Sequence, residues 1–65
     1  MKVYVVIEAT QDGDSVLGVY TSHAKALDSI QDTIEYAGLE YDEDQDDYSD
    51  ESGYMLVIRE YELKD

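Results

Sequence analysis

Ser22-His23-Ala24-Lys25-Ala26-Leu27-Asp28-Ser29-Ile30-Gln31-Asp32-Thr33-Ile34-Glu35-Tyr36-Ala37-Gly38 carries the marks of a helix capped at both ends. Ser22 suits an N-cap, because its hydroxyl can accept a backbone N–H of the first turn. Leu27, Ile30, Ile34 and Ala37 follow at spacings of 3, 4 and 3, which places them on one helical face. Gly38 stands where a left-handed C-cap is needed. The pattern predicts a helix over 23–37, with Ala24 and Ala26 as helix formers that need little room.

On the N-terminal side, 2–8 reads as a strand. Val3, Val5 and Ile7 point one way, and Tyr4, Val6 and Glu8 the other. Thr10-Gln11-Asp12-Gly13-Asp14 is a turn, and 15–21 is a second strand rich in Val16, Leu17, Val19 and Tyr20. Gly18 inside it marks a bulge or a close backbone approach. Beyond the helix, 54–63 is the third and longest strand, with Met55, Leu56, Val57 and Ile58 at its centre. The expected fold is α+β in the order β-β-α-β. A three-stranded antiparallel sheet, with strand 1 between strands 2 and 3, carries the helix on one face. The other face is expected to bear Tyr side chains and to be open to water or to a second subunit.

Between helix and last strand the chain changes character. Of the fourteen residues 39–52, eight are acidic and none is basic. This stretch is expected to be an acidic loop within a single domain, 1–65. Overall, 17 acids face 4 bases, a formal net charge of -13. Solubility alone calls for a magnitude of about 2 to 8 in a small domain. The excess repels nucleic acids and anionic membranes, and attracts basic protein surfaces.

The acids sort into two groups. Asp28, Asp32 and Glu35 form a helical stripe whose neighbours lie roughly 6 Å apart, a spacing of the same order as successive phosphates. Glu40, Asp42, Glu43, Asp44, Asp46, Asp47, Asp50 and Glu51 continue it into the loop. Together they make a candidate surface that imitates nucleic acid and engages the Lys and Arg side chains of a nucleic-acid-binding protein. Tyr36, Tyr41 and Tyr48 are interleaved with them and offer faces for Arg. The structural alternative is that these tyrosines pack the loop onto the sheet and that the acids are a solvated run.

Other chemistries find little footing. The 65 residues include no cysteine and a single histidine, His23, which excludes disulfides and thiolate or His-rich metal sites. Asp42, Asp44, Asp46 and Asp50 fall at positions 1, 3, 5 and 9 of a calcium-loop pattern, but Asp47 stands where its glycine belongs and Gly53 where its glutamate belongs. That leaves weak, nonspecific divalent binding, with no cofactor. A domain this small has little volume for a cleft, so no enzyme is expected. The lack of a leader-like segment and of a spanning apolar run predicts a cytoplasmic protein. A marginal core is compatible with a monomer or a homodimer.

In size and character the chain resembles the small acidic DNA-mimic inhibitors of phages and mobile elements, the anti-CRISPR proteins among them. The resemblance rests on the short length, the absence of Cys, the stripe Asp28, Asp32 and Glu35, and the run Glu40-Tyr41-Asp42-Glu43-Asp44-Gln45-Asp46-Asp47-Tyr48. It implies a non-enzymatic inhibitor in host cytoplasm that occupies the DNA-binding channel of a CRISPR effector complex. Two other accounts fit the composition. One is a small structural or interaction module that uses its sheet face. The other is halophilic adaptation, although residues 1–27 carry only Glu8, Asp12 and Asp14 as acids.

Overall fold

The computed structural model describes residues 1–64. Among them the chain forms strands β1 (Lys2–Thr10) and β2 (Gly13–Tyr20), helix α1 (His23–Ala37), the short strands β3 (Glu40–Asp42) and β4 (Asp47–Ser49), and strand β5 (Met55–Glu62). They build one sheet of five strands in the order β2-β1-β5-β4-β3, with every neighbouring pair antiparallel. The expectation of a three-stranded sheet is overturned. The stretch 39–52 is not a plain loop; it folds into the β3–β4 hairpin and adds two strands to the edge of β5.

The β1–β2 hairpin closes more tightly than the sequence suggests. Thr10 pairs with Gly13, leaving Gln11 and Asp12 as the connection. Thr10 Oγ1 accepts the Asp12 N–H at 3.2 Å and donates to the Gly13 carbonyl at 3.1 Å. Gly13 has φ 127°, a region in which side chains other than glycine are strained. Further along, Val6 faces Gly18 while Ile7 faces Val16, so Leu17 is an extra residue in β2.

Ser22 caps α1 by accepting the Lys25 N–H at 3.1 Å. The helix ends in a six-residue closure. Gly38 adopts φ 67°, and the Leu39 N–H donates to the Ile34 carbonyl at 3.0 Å. This places Leu39 in the core beside Val6, Ala26, Ile30 and Leu56. Leu39 thus fills the role expected of Ala37, which is exposed. Ala26 is fully buried, because a small side chain lets the helix approach the sheet closely.

Strand alternation separates the two sheet faces. Tyr4, Val6, Leu56, Ile58, Tyr20 and Tyr48 pack toward α1. Val3, Val5, Ile7, Val57 and Arg59 alternate with them, and so belong to the face away from the helix. Leu56 and Val6 are the largest fully buried side chains. Truncating either to Ala is expected to cost about 2–4 kcal/mol.

Candidate functional site

The acidic hairpin owes its shape to its own aspartates. Asp42 Oδ1 accepts the Asp44 N–H at 2.9 Å and the Gln45 N–H at 3.3 Å. The Asp46 N–H returns to the Asp42 carbonyl at 2.8 Å. Asp46 itself takes φ 55°, a left-handed conformation that aspartate tolerates better than most residues. Its Oδ1 also receives the Tyr41 hydroxyl at 2.6 Å. A second turn is organised by Asp50, whose Oδ1 accepts the Ser52 hydroxyl at 2.6 Å, the Ser52 N–H at 2.9 Å and the Tyr54 N–H at 3.3 Å. The Ser52 hydroxyl, aided by backbone N–H donors, holds the Asp50 carboxyl below its ordinary range against a smaller opposing effect of desolvation. Short side chains with two acceptor oxygens make such turns. Asp42, Asp46 and Asp50 therefore serve the fold of the hairpin as well as its charge.

Asp47 departs most from the expected contact set. It is 3% exposed, lies opposite Val57 across the β4–β5 ladder, and its Oδ1 has no hydrogen-bond partner. Desolvation raises its pKa, the charges of Asp42 and Asp46 raise it further, and Arg59 opposes them. A carboxylate this buried cannot meet a partner protein, so Asp47 is removed from the candidate surface. Its position follows from register: Tyr48 turns toward the helix, which turns Asp47 toward the valine-bearing face.

The remaining acids stay outside. Asp28, Asp32 and Glu35 are exposed along α1. Glu40, Asp42, Glu43, Asp50 and Glu51 come together around a shallow groove of about 700 Å³ that reaches Gly38 at the end of the helix. The helical stripe does not line this groove, and neither do Asp44 and Asp46. The C-terminal end of a helix carries partial negative charge, and α1 has no basic residue in its last turn. Helix end and groove acids therefore reinforce one another. Among the described residues the ion pairs are the N-terminal amine with Glu62 at 3.5 Å and Lys2 with Glu60 at 3.9 Å. Neither neutralises an acid of the stripe or of the groove.

No family model, curated protein or solved structure matches the chain.

The three tyrosines divide. Tyr36 is 95% exposed on the helix. Tyr41 lines the groove and is half exposed, while its hydroxyl is engaged by Asp46. That bond, with smaller contributions from desolvation and nearby acids, pushes its pKa up to about 12. Tyr48 packs against the core and is structural.

Two features escaped the sequence reading. Ser49 and Ser52 line the groove among the acids. His23 shares a smaller hollow of about 230 Å³ with Tyr41, Asp46, Tyr48 and Ile58, and it meets the Tyr4 ring edge-on at 5.8 Å. The sequence signal for Ser49 and Ser52 is their place beside Asp50 in a turn. For His23 there is none, since its contacts come from strands distant in sequence.

Among the described residues no group of three or more His, Cys, Asp or Glu side chains is arranged to hold a metal. The calcium-loop positions are occupied by a β-hairpin, and oxygens of Asp42 and Asp50 are turned onto backbone N–H groups. Among the described residues no helix is long and apolar enough to cross a membrane.

Proposed function

We propose that this protein is a non-enzymatic decoy whose acidic surface occupies the nucleic-acid-binding site of a basic protein. The observation that carries the reading is the groove beside the end of α1. Among the described residues its carboxylates, Glu40, Asp42, Glu43, Asp50 and Glu51, form no ion pair. A chain with a net charge of -13 bears self-repulsion that an external cation at these acids would relieve. Arg and Lys side chains are such cations, and Arg binds carboxylates with two parallel hydrogen bonds. The tight turns set by Asp42 and Asp50 fix the groove acids on a rigid base, so fewer rotamers are lost on binding. The specific target that the sequence resemblance implies is the DNA-binding channel of a CRISPR effector complex, and the site of action is then the host cytoplasm.

Charge reversal tests this. Glu40, Glu43 and Glu51 make no hydrogen bond that shapes the hairpin, so their replacement by Lys leaves the turns in place. The triple variant is expected to lose its basic partner, and the reversal of Asp28, Asp32 and Glu35 to weaken it. Unchanged inhibition by both variants, with the fold retained by circular dichroism, would sink the proposal. Asp42, Asp46, Asp47 and Asp50 are unsuitable for such reversal, since each is tied to turn geometry or burial.

A further inference from the structure

The hollow at the start of α1 is a second concave site, and none of the groove acids lines it. His23, Tyr41, Asp46, Tyr48 and Ile58 enclose its volume of about 230 Å³. Small-molecule pockets run to roughly 300–1,000 Å³, so this one suits a single side chain better than a free metabolite. Contacts within the chain already hold its walls. Tyr48 packs on the core, and the Tyr41 ring lies against it at 5.1 Å. The Tyr41 hydroxyl donates to Asp46 Oδ1 at 2.6 Å, and the Asp46 N–H donates to the Asp42 carbonyl at 2.8 Å. His23 rests edge-on against Tyr4. A site whose side chains are held beforehand loses few rotamers when it is filled.

The chemistry of the walls selects the occupant. His23, Tyr41 and Tyr48 supply rings, Ile58 an apolar patch, and Asp46 the one carboxylate. Among the described residues no Lys, Arg or His pairs with Asp46. Rings beside such a carboxylate suit a cation that stacks as well as pairs. Guanidinium does both, being planar, weakly hydrated and forked, whereas an ammonium is a strongly hydrated point charge. The apolar stem of an arginine covers Ile58. The positive end of the α1 dipole, at His23, works against a cation, but that effect fades within one turn. The net charge of -13 attracts cations from farther away.

We propose that this hollow is a socket for one arginine side chain of the basic partner. The socket rests on the decoy reading and deepens it, because it says which cation the partner must present. Tyr41 lines both the groove and the hollow, so a partner whose cations sit in the groove sends one arginine past Tyr41. The groove offers carboxylates alone as its charged groups and accepts lysine or arginine. The socket, with its rings, tells the two apart.

Chemical-shift titration of the intact, isotope-labelled chain tests the proposal, with blocked Gly-Arg-Gly and Gly-Lys-Gly peptides as probes at one salt concentration. The arginine peptide should shift His23, Tyr48 and Ile58, and bind there about threefold more tightly than the lysine peptide. Asp46→Asn should weaken the arginine peptide at the hollow about threefold and leave the shifts at Glu43 and Glu51 in place. Asparagine tolerates the left-handed backbone and keeps an oxygen for the Tyr41 hydroxyl, so it removes the charge alone. Should Asp46→Asn fail to fold, the preference of the natural chain between the two peptides decides. Equal response of the hollow to both peptides, or a silent hollow beside a responding groove, overturns the socket and leaves the groove reading standing. Silence of hollow and groove to both peptides overturns the two together.

Discussion

Tyr41 and Tyr48 face each other across β3 and β4, with ring centroids 5.1 Å apart and planes inclined by 51°. This pair turns an acidic stretch into a hairpin. Each strand is three residues long and contributes one aromatic side chain flanked by polar ones. Offset aromatic pairs add about 0.5–1.5 kcal/mol beyond the area they bury. Tyr48 also packs on the core, while Tyr41 is 51% exposed. Tyr48→Ala is therefore expected to destabilise the protein by about 2–3 kcal/mol and Tyr41→Ala by about 1 kcal/mol. Urea unfolding followed by circular dichroism measures both. Equal losses would show that the ring pair, and not the anchoring of Tyr48, holds the hairpin.

Asp47→Asn should stabilise the fold. The folded state holds the Asp47 proton more tightly than the unfolded chain, where the value is near 3.8. Stability therefore falls as pH rises from the unfolded value toward the higher folded one, and the penalty persists above it. Asparagine removes the buried charge and its repulsion with Asp42 and Asp46. A gain of about 1 kcal/mol is expected at neutral pH, or roughly 4–8 °C in Tm for a domain of this size. Below the unfolded pKa the two proteins should differ little. A Tm for the variant below that of the natural chain at neutral pH would show that the Asp47 charge is satisfied by a group outside the chain.

At alkaline pH the tyrosines report on their carboxylate partners. The Tyr54 hydroxyl donates to Glu8 Oε2 at 2.6 Å, and this bond, with smaller effects of burial and nearby charge, pushes its pKa up to about 12. Tyr41 reaches about 12 through Asp46. A phenol whose folded pKa exceeds its unfolded value near 10 stabilises the fold fully below pH 10, and that contribution is lost as pH rises toward 12. Tyr4, whose hydroxyl donates to Glu60 at 3.0 Å, is raised as well, so ultraviolet titration of the folded protein should show Tyr41 and Tyr54 among the late-ionising phenols. Tyr54→Phe and Tyr41→Phe should each delete one. Simultaneous ionisation of all seven tyrosines in a still-folded chain would contradict the hydrogen bonds.

Gly18 is a close-approach position. A Cβ there would sit 2.8 Å from the Tyr20 ring. Tyr20 packs on the core, so Gly18→Ala displaces it at an expected cost of about 1–2 kcal/mol. The double variant Gly18→Ala/Tyr20→Leu should recover part of that loss in thermal unfolding. No recovery would place the constraint in the bulge backbone instead.

What the sequence makes legible divides along physical lines. Helix α1 is written locally, in the Ser22 cap, the apolar period and Gly38. The long strands are written in runs of β-branched residues. The β3–β4 hairpin is not, because its strands carry one tyrosine each and their charge masks a period of two. The turn chemistry of Asp42 and Asp50 looks, in sequence, the same as the free charge of Glu43 or Glu51. Only pairing with β5 separates them, and pairing is nonlocal. The same holds for Asp47, whose burial depends on Val57 and on which way Tyr48 turns. The exposed acids of the stripe and of the groove were legible individually, but their assembly beside the helix end was not.

The most direct test of the central claim is competition. The natural chain is immobilised, a prokaryotic lysate is passed over it at moderate salt, and bound protein is eluted with duplex DNA and, separately, with rising salt. The expected result is capture of a nucleic-acid-binding protein that duplex DNA releases, that leaves as salt rises, and that the Lys variant at Glu40, Glu43 and Glu51 fails to hold. A partner that stays bound through both DNA and salt, and binds the variant equally, would contradict it.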